Sequence, residues 1–122
     1  MERLPYIDEH ARSVDANRDR TWKALLKVVC KDPADPSTVP GGFALEEADP
    51  PRRLALAGHH PFSRYSLTFE LDDDGPRHTV VRAITRAEFP GLGGSIYRAL
   101  MIGTGGHKLV VRRMLARIVA AA

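Results

Sequence analysis

Gly103, Gly105 and Gly106 crowd into the stretch "MIGTGGHKLVVRRML", which continues at once with His107 and Lys108. Glycines followed by a lysine are the raw material of a phosphate cradle, where backbone N–H groups at a helix start surround an anion. The full signature is not met. A P-loop needs G-x-x-x-x-G-K-[ST] between a strand and a helix. Here His107 separates Gly106 from Lys108, and Leu109 stands where the magnesium-binding hydroxyl belongs. The preceding "SIYRALMI" has helical, not strand, periodicity. "GLGGS" at 91–95 fails as a dinucleotide fingerprint, since a βαβ unit must follow and only one helix remains. The glycines therefore read as an interruption within a helix.

Other chemistry-bearing residues are scattered. His59 and His60 are adjacent, and neighbours on a strand point to opposite faces, so they cannot share an ion without a turn. His10, His78 and His107 are far apart, with no cysteine or carboxylate at ligand spacing, so no metal and no cofactor are expected. Asp8 and His10 share a strand face and could couple; on an opening strand at a sheet edge, such a pair is simply solvated. Tyr65 and Tyr97 put hydroxyls on otherwise apolar faces, where buried tyrosines find a partner. Glu88 sits at the end of a strand beside Phe89. "GGS" at 93–95 lacks the G-x-S-x-G frame of a nucleophile elbow. Cys30, the single cysteine, excludes an internal disulfide, fits a reducing cytoplasm and reads as a structural thiol.

The elements that position these residues follow from periodicity. "YIDEHARSV" at 6–14 alternates as a first strand, with Tyr6, Asp8, His10 and Arg12 on one face. In "DANRDRTWKALLKVVC", Asp15 is a cap candidate and Trp22, Leu25, Leu26 and Val29 recur at i, i+3, i+4 and i+7. Pro33, Pro36 and Pro40 forbid continuation of that helix. "FALEEA" and "RRLALAG" each have room for one short strand. "FSRYSLTFEL" then alternates cleanly, with Tyr65, Leu67, Phe69 and Leu71 on the buried face. "DDDGP" turns the chain, and "RHTVVRAITRAEF" returns as its hairpin partner. The return strand's buried face is small at Ala83, Thr85 and Ala87, which either admits a close helix or leaves a cavity. From Leu92 the apolar positions run 92, 96, 100, 107, 110, 111, 114, 115 and 118, one helical phase throughout. Glycines inside a helix cost about 1 kcal/mol each against alanine. A kink or break near 103–106 is therefore expected.

The order strand, helix, proline-rich loop, antiparallel strands and long C-terminal helix resembles the START-like, or SRPBCC, superfamily. Val14, Asp15, Ala16 and Trp22 stand where that family's first strand runs into a "V-D-A" and a helix with an early tryptophan. Residues 92–120 are similar to the helix that the family's curved sheet grips. The resemblance implies an α+β helix-grip fold, a curved antiparallel sheet wrapped around a long C-terminal helix, in one domain over 1–122. It also implies a cavity for a hydrophobic small molecule or lipid, and it transfers no catalytic residues.

Composition sets the outer limits. A chain of 122 residues is one domain by ordinary size and can bury a core without staples. No run approaches the roughly 18 apolar residues of a membrane span, so no stable membrane insertion is expected. "MERLPYIDEHARS" lacks a signal-peptide pattern. The net charge of +3 is mild and its signs are mixed. Lys108, Arg112, Arg113 and Arg117 share one helical face, which reads as solvated; nucleic acid is not expected as a partner.

The reading is binding of an apolar small molecule or lipid, without catalysis, by a cytoplasmic protein. The expected walls are Phe43, Tyr65, Leu67, Phe69, Ala83, Thr85, Tyr97, Met101 and His107. One alternative is a polyketide cyclase-like or hydratase-like enzyme, for which Tyr65, Tyr97, Glu88 and His107 are the first candidates. The other is a non-catalytic oligomeric module with a closed core. Ligand identity and oligomeric state are not written in the sequence.

Overall fold

The computed structural model describes residues 4, 6–39, 41–60, 63–89, 91, 95, 98 and 106–122. Among these, five strands and two helices follow the expected order, and Gly91, Ser95 and Arg98 are helical as well. Strand β1 (Tyr6–Val14) leads into helix α1 (Arg18–Val29). Strands β2 (Ala44–Asp49), β3 (Arg53–His60), β4 (Ser63–Asp73) and β5 (Thr79–Glu88) follow, and helix α2 (Gly106–Ala121) closes the chain. All neighbours in the curved sheet are antiparallel, in the order β1-β5-β4-β3-β2. The last three turns are local, but β1 reaches across the sequence to pair with β5. This is the α+β helix-grip arrangement.

Helix α1 forms where its apolar period predicts, burying Trp22, Ala24, Leu25, Leu26 and Val29 while Lys23 and Lys27 face out. Its cap is Asn17, not Asp15: the Asn17 side chain accepts the Arg20 N–H at 2.9 Å. Asp15 instead meets His78 Nε2 at 2.8 Å, at the foot of β5. Two residues further from the first turn, Asp15 lies beyond the reach of the N2 and N3 amides that a cap must satisfy. Two buried threonines tie this corner together. Thr21 donates to the Asn17 carbonyl at 2.8 Å, and Thr79 donates to the Ala16 carbonyl at 2.8 Å, joining the start of β5 to the turn before α1.

Helix α2 packs against α1, β1 and β5, while α1 packs against β4. Val111, Leu115 and Ile118 are its buried stripe. Val110, in phase with that stripe by sequence, is 57% exposed beside Leu109 at 52%. The stripe is narrower than the period allows because α2 lies at one side of the sheet, so only its i, i+4, i+7 line is covered. Lys108, Arg112, Arg113 and Arg117 are all exposed. Gly103 and Gly105, and with them the expected kink, lie outside the described residues. Among the described residues no helix is long and apolar enough to cross a membrane.

Cys30 caps the C-terminus of α1, and its thiol points at the Pro36 carbonyl, 3.8 Å away. Burial pushes the thiol above its ordinary range, and the carboxylates of Asp35 and Asp32 push in the same direction. The thiolate is the nucleophile, so less of it is present at mildly alkaline pH than on an exposed cysteine. Alkylation by iodoacetamide is expected to be slower than for free cysteine and to accelerate in denaturant. Native labelling as fast as free cysteine would contradict this.

Candidate functional site

Strand pairing builds the concave face in rows. One row runs Asp8, Thr85, Leu67, Leu56, Leu45 across all five strands; the next runs His10, Ala83, Phe69, Leu54, Ala48. Residues directly opposite on an antiparallel pair share a face, so every member of these rows points to the same side. Phe69, Ala83 and Leu54 are fully buried, and Leu67 and Leu56 nearly so. At one end of the sheet, Val14, Val81 and Leu71 are sealed. Toward the other end, Tyr65 and Gly58 are half-buried beside buried Ala87.

Each expected wall residue can now be placed. Leu67, Phe69, Ala83 and Thr85 lie together on the concave face of β4 and β5. Tyr65 is half-buried on the same face, with its ring edge-on to half-buried Phe43 at 5.1 Å. Its hydroxyl donates to the Gly42 carbonyl at 2.6 Å, so it ties β4 to the loop before β2. Tyr97 and Met101 lie outside the described residues. His107 sits in the first turn of α2, and its side chain is likewise outside the description. Glu88 belongs to the opposite face, where it meets Arg64 at 3.7 Å. Strand parity with Arg82 and Arg86 separates it from Thr85 and Ala87, so it cannot act on the concave side.

Two features stand out. The first is a polar pair at the end of the apolar rows: His10 Nε2 lies 3.1 Å from Asp8 Oδ2, and each side chain is only 17% exposed. β1 is an edge strand, as expected, and the pair is partly buried there. The sequence carried the signal, because Asp8 and His10 share parity with Val14, which is 1% exposed. The second is Thr85, 6% exposed, whose Oγ1 is buried with no hydrogen-bond partner. Tyr6 does not share the face of Asp8. An irregularity between Tyr6 and Asp8 shifts the register and puts Tyr6 opposite Arg86, whose guanidinium lies 5.8 Å above its ring. An inserted residue of this kind reverses the alternation that periodicity alone assumes.

An unpartnered buried hydroxyl destabilises by about 1–3 kcal/mol. Thr85→Val removes that hydroxyl at nearly constant shape. The variant is expected to be as stable as the parent, or more stable by about 1 kcal/mol, in urea unfolding. A clearly lower midpoint would mean that the hydroxyl is satisfied in solution. Among the described residues, no three His, Cys, Asp or Glu side chains converge as a metal site.

No protein-family model matches the sequence, and no curated protein matches it. Solved structures do. A conserved protein from Geobacillus kaustophilus superposes with TM-score 0.62 at 14% identity, over 92% of this chain and 91% of that one. The di-domain ARO/CYC BexL of the BE-7585A biosynthetic pathway gives 0.62 at 16% identity, over 93% of this chain and 45% of BexL. Norcoclaurine synthase from Thalictrum flavum, solved with dopamine and hydroxybenzaldehyde, gives 0.59 at 14%, over 94% and 88%. The chain shares the helix-grip fold of these structures, the fold that the START-like resemblance implies. In this fold the concave rows are the inner wall, with α2 against β1 and β5 and α1 against β4, and Asp8, His10 and Thr85 lie on that wall.

Proposed function

We propose that this START-like protein binds a hydrophobic small molecule or lipid between the concave sheet face and the C-terminal helix, without converting it. Residues 1–122 act as one domain in this reading, in the cytoplasm, where a lone cysteine stays reduced. One observation carries it: Ala83, Thr85 and Ala87 form a row of small side chains along β5, and Thr85 holds an unpartnered hydroxyl in their midst. A sheet made only to close on a helix gains by filling such positions with larger apolar groups. Ligand sites combine an apolar lining with few placed polar groups. BexL and the norcoclaurine synthase complex, both on this fold, support a small organic molecule as the ligand class. The Asp8–His10 pair favours a second reading, a cyclase-like or hydratase-like enzyme, because a carboxylate–imidazole pair can move a proton.

Native mass spectrometry of the purified protein, followed by solvent extraction, tests the proposal. The expected result is a retained mass that denaturation releases as an apolar compound. Absence of any retained compound, together with no binding of an apolar naphthalene dye, would overturn it. A tight dimer with a filled core would favour the closed module instead. Turnover of the released compound would select the enzyme.

A further inference from the structure

We infer that Asp8, His10 and Thr85 form a recognition site for a hydroxyl group carried on an otherwise apolar ligand. This deepens the binding reading above and rests on it. The chemistry of each group dictates the fit. A carboxylate only accepts hydrogen bonds, so Asp8 Oδ2, 3.1 Å from His10 Nε2, assigns the imidazole proton to Nε2. In that tautomer the imidazole keeps a lone pair on Nδ1, which has no hydrogen-bond partner among the described residues. Thr85 Oγ1, 94% removed from solvent by its residue's 6% exposure, lacks a partner as well.

His10 and Thr85 are diagonal neighbours across β1 and β5, a spacing of about 7–8 Å between backbones and less between side chains. One oxygen placed between them meets both needs: it donates its proton to Nδ1 and accepts the Thr85 proton. A hydroxyl does this, whereas a bare carbonyl serves Thr85 alone and leaves Nδ1 unmet. An anionic head is opposed by Asp8. The row from Thr85 through Leu67 to Leu56 continues as unbroken hydrocarbon, so the remainder of the ligand is apolar. Asp8 is a positioning residue, which acts through the tautomer it imposes on His10.

The test uses two probes of equal shape, 2-naphthol and 2-methylnaphthalene, titrated at neutral pH by calorimetry. The parent protein is expected to favour the naphthol about tenfold or more, the worth of roughly one well-made hydrogen bond. Thr85→Val and His10→Phe should each cut that preference, read as the ratio of the two affinities, to about twofold or less. Asp8→Asn should remove the single-tautomer signature from the His10 nitrogen-15 spectrum, an effect that a merely structural role would not produce. Equal binding of both probes by the parent, preference retained in both wall variants, or parallel loss of both probes would overturn the inference while the cavity reading stands. Binding of neither probe would overturn both. Thr85→Val keeps the result readable if His10→Phe fails to fold.

Discussion

Phe69→Ala is expected to lower unfolding stability by about 4 kcal/mol, within the usual range for a buried phenylalanine. Phe69 is fully buried at the middle of β4, the central strand, with Ala83 on one flank and Leu54 on the other. Those flanks cannot refill the space. Ala83 has no reach, and Leu54 is held in its own row opposite Ala48. Helix α1 packs above β4, so a void there is also felt by Leu25 and Trp22 within the same core cluster. The cost therefore includes both lost hydrocarbon burial and an uncollapsed cavity. Urea unfolding checks it. A loss under about 2 kcal/mol would show that the sheet relaxes over the gap, and would weaken the view of a rigid concave wall.

Gly58→Ala is expected to cost about 3 kcal/mol, at the upper end of what overpacking usually does. Gly58 has no unusual backbone angle; its requirement is space. A methyl group at this position overlaps the Gly42 carbonyl oxygen and the Tyr65 ring. The Tyr65 side chain crosses directly over Gly58, its partner on β3, to donate to that same Gly42 carbonyl. Glycine within a strand marks such a close approach. Tyr65→Phe removes only the hydroxyl and should cost about 1 kcal/mol, which separates the hydrogen bond from the steric term. Parental stability in Gly58→Ala would mean that the Tyr65 ring does not lie across the strand.

Both positions sit in the site's wall, and they differ in how visible they were. The alternation of Leu67, Phe69 and Leu71 against Arg64, Thr68 and Glu70 announced a half-buried strand, and Phe69 had to face inward. The small row Ala83, Thr85 and Ala87 was equally legible, because β5 pairs with β4 through a local turn. Gly58 carried no such sign. The atoms it makes room for belong to Gly42 and Tyr65, and no local pattern states that these three meet. The polar pair falls between these cases. Asp8 and His10 were visibly on one face, but β1 is separated from β5 by most of the chain. Periodicity cannot tell which strand an opening strand joins, nor that Asp8 will lie opposite Thr85.

What the residues determined by themselves is the identity and sidedness of the elements. Apolar spacing of 3.6 made α1, alternation made β4 and β5, and prolines ended α1, all through interactions within a few residues. Tertiary structure decided the rest. It placed β1 beside β5, capped α1 with Asn17 while Asp15 turned to His78, reversed Tyr6 through an irregularity, and left Leu109 and Val110 in water. Each of these depends on which distant surface packs against a segment. A hydroxyl such as Thr85 acquires a role only when the fold removes its water and sets an imidazole diagonally across from it.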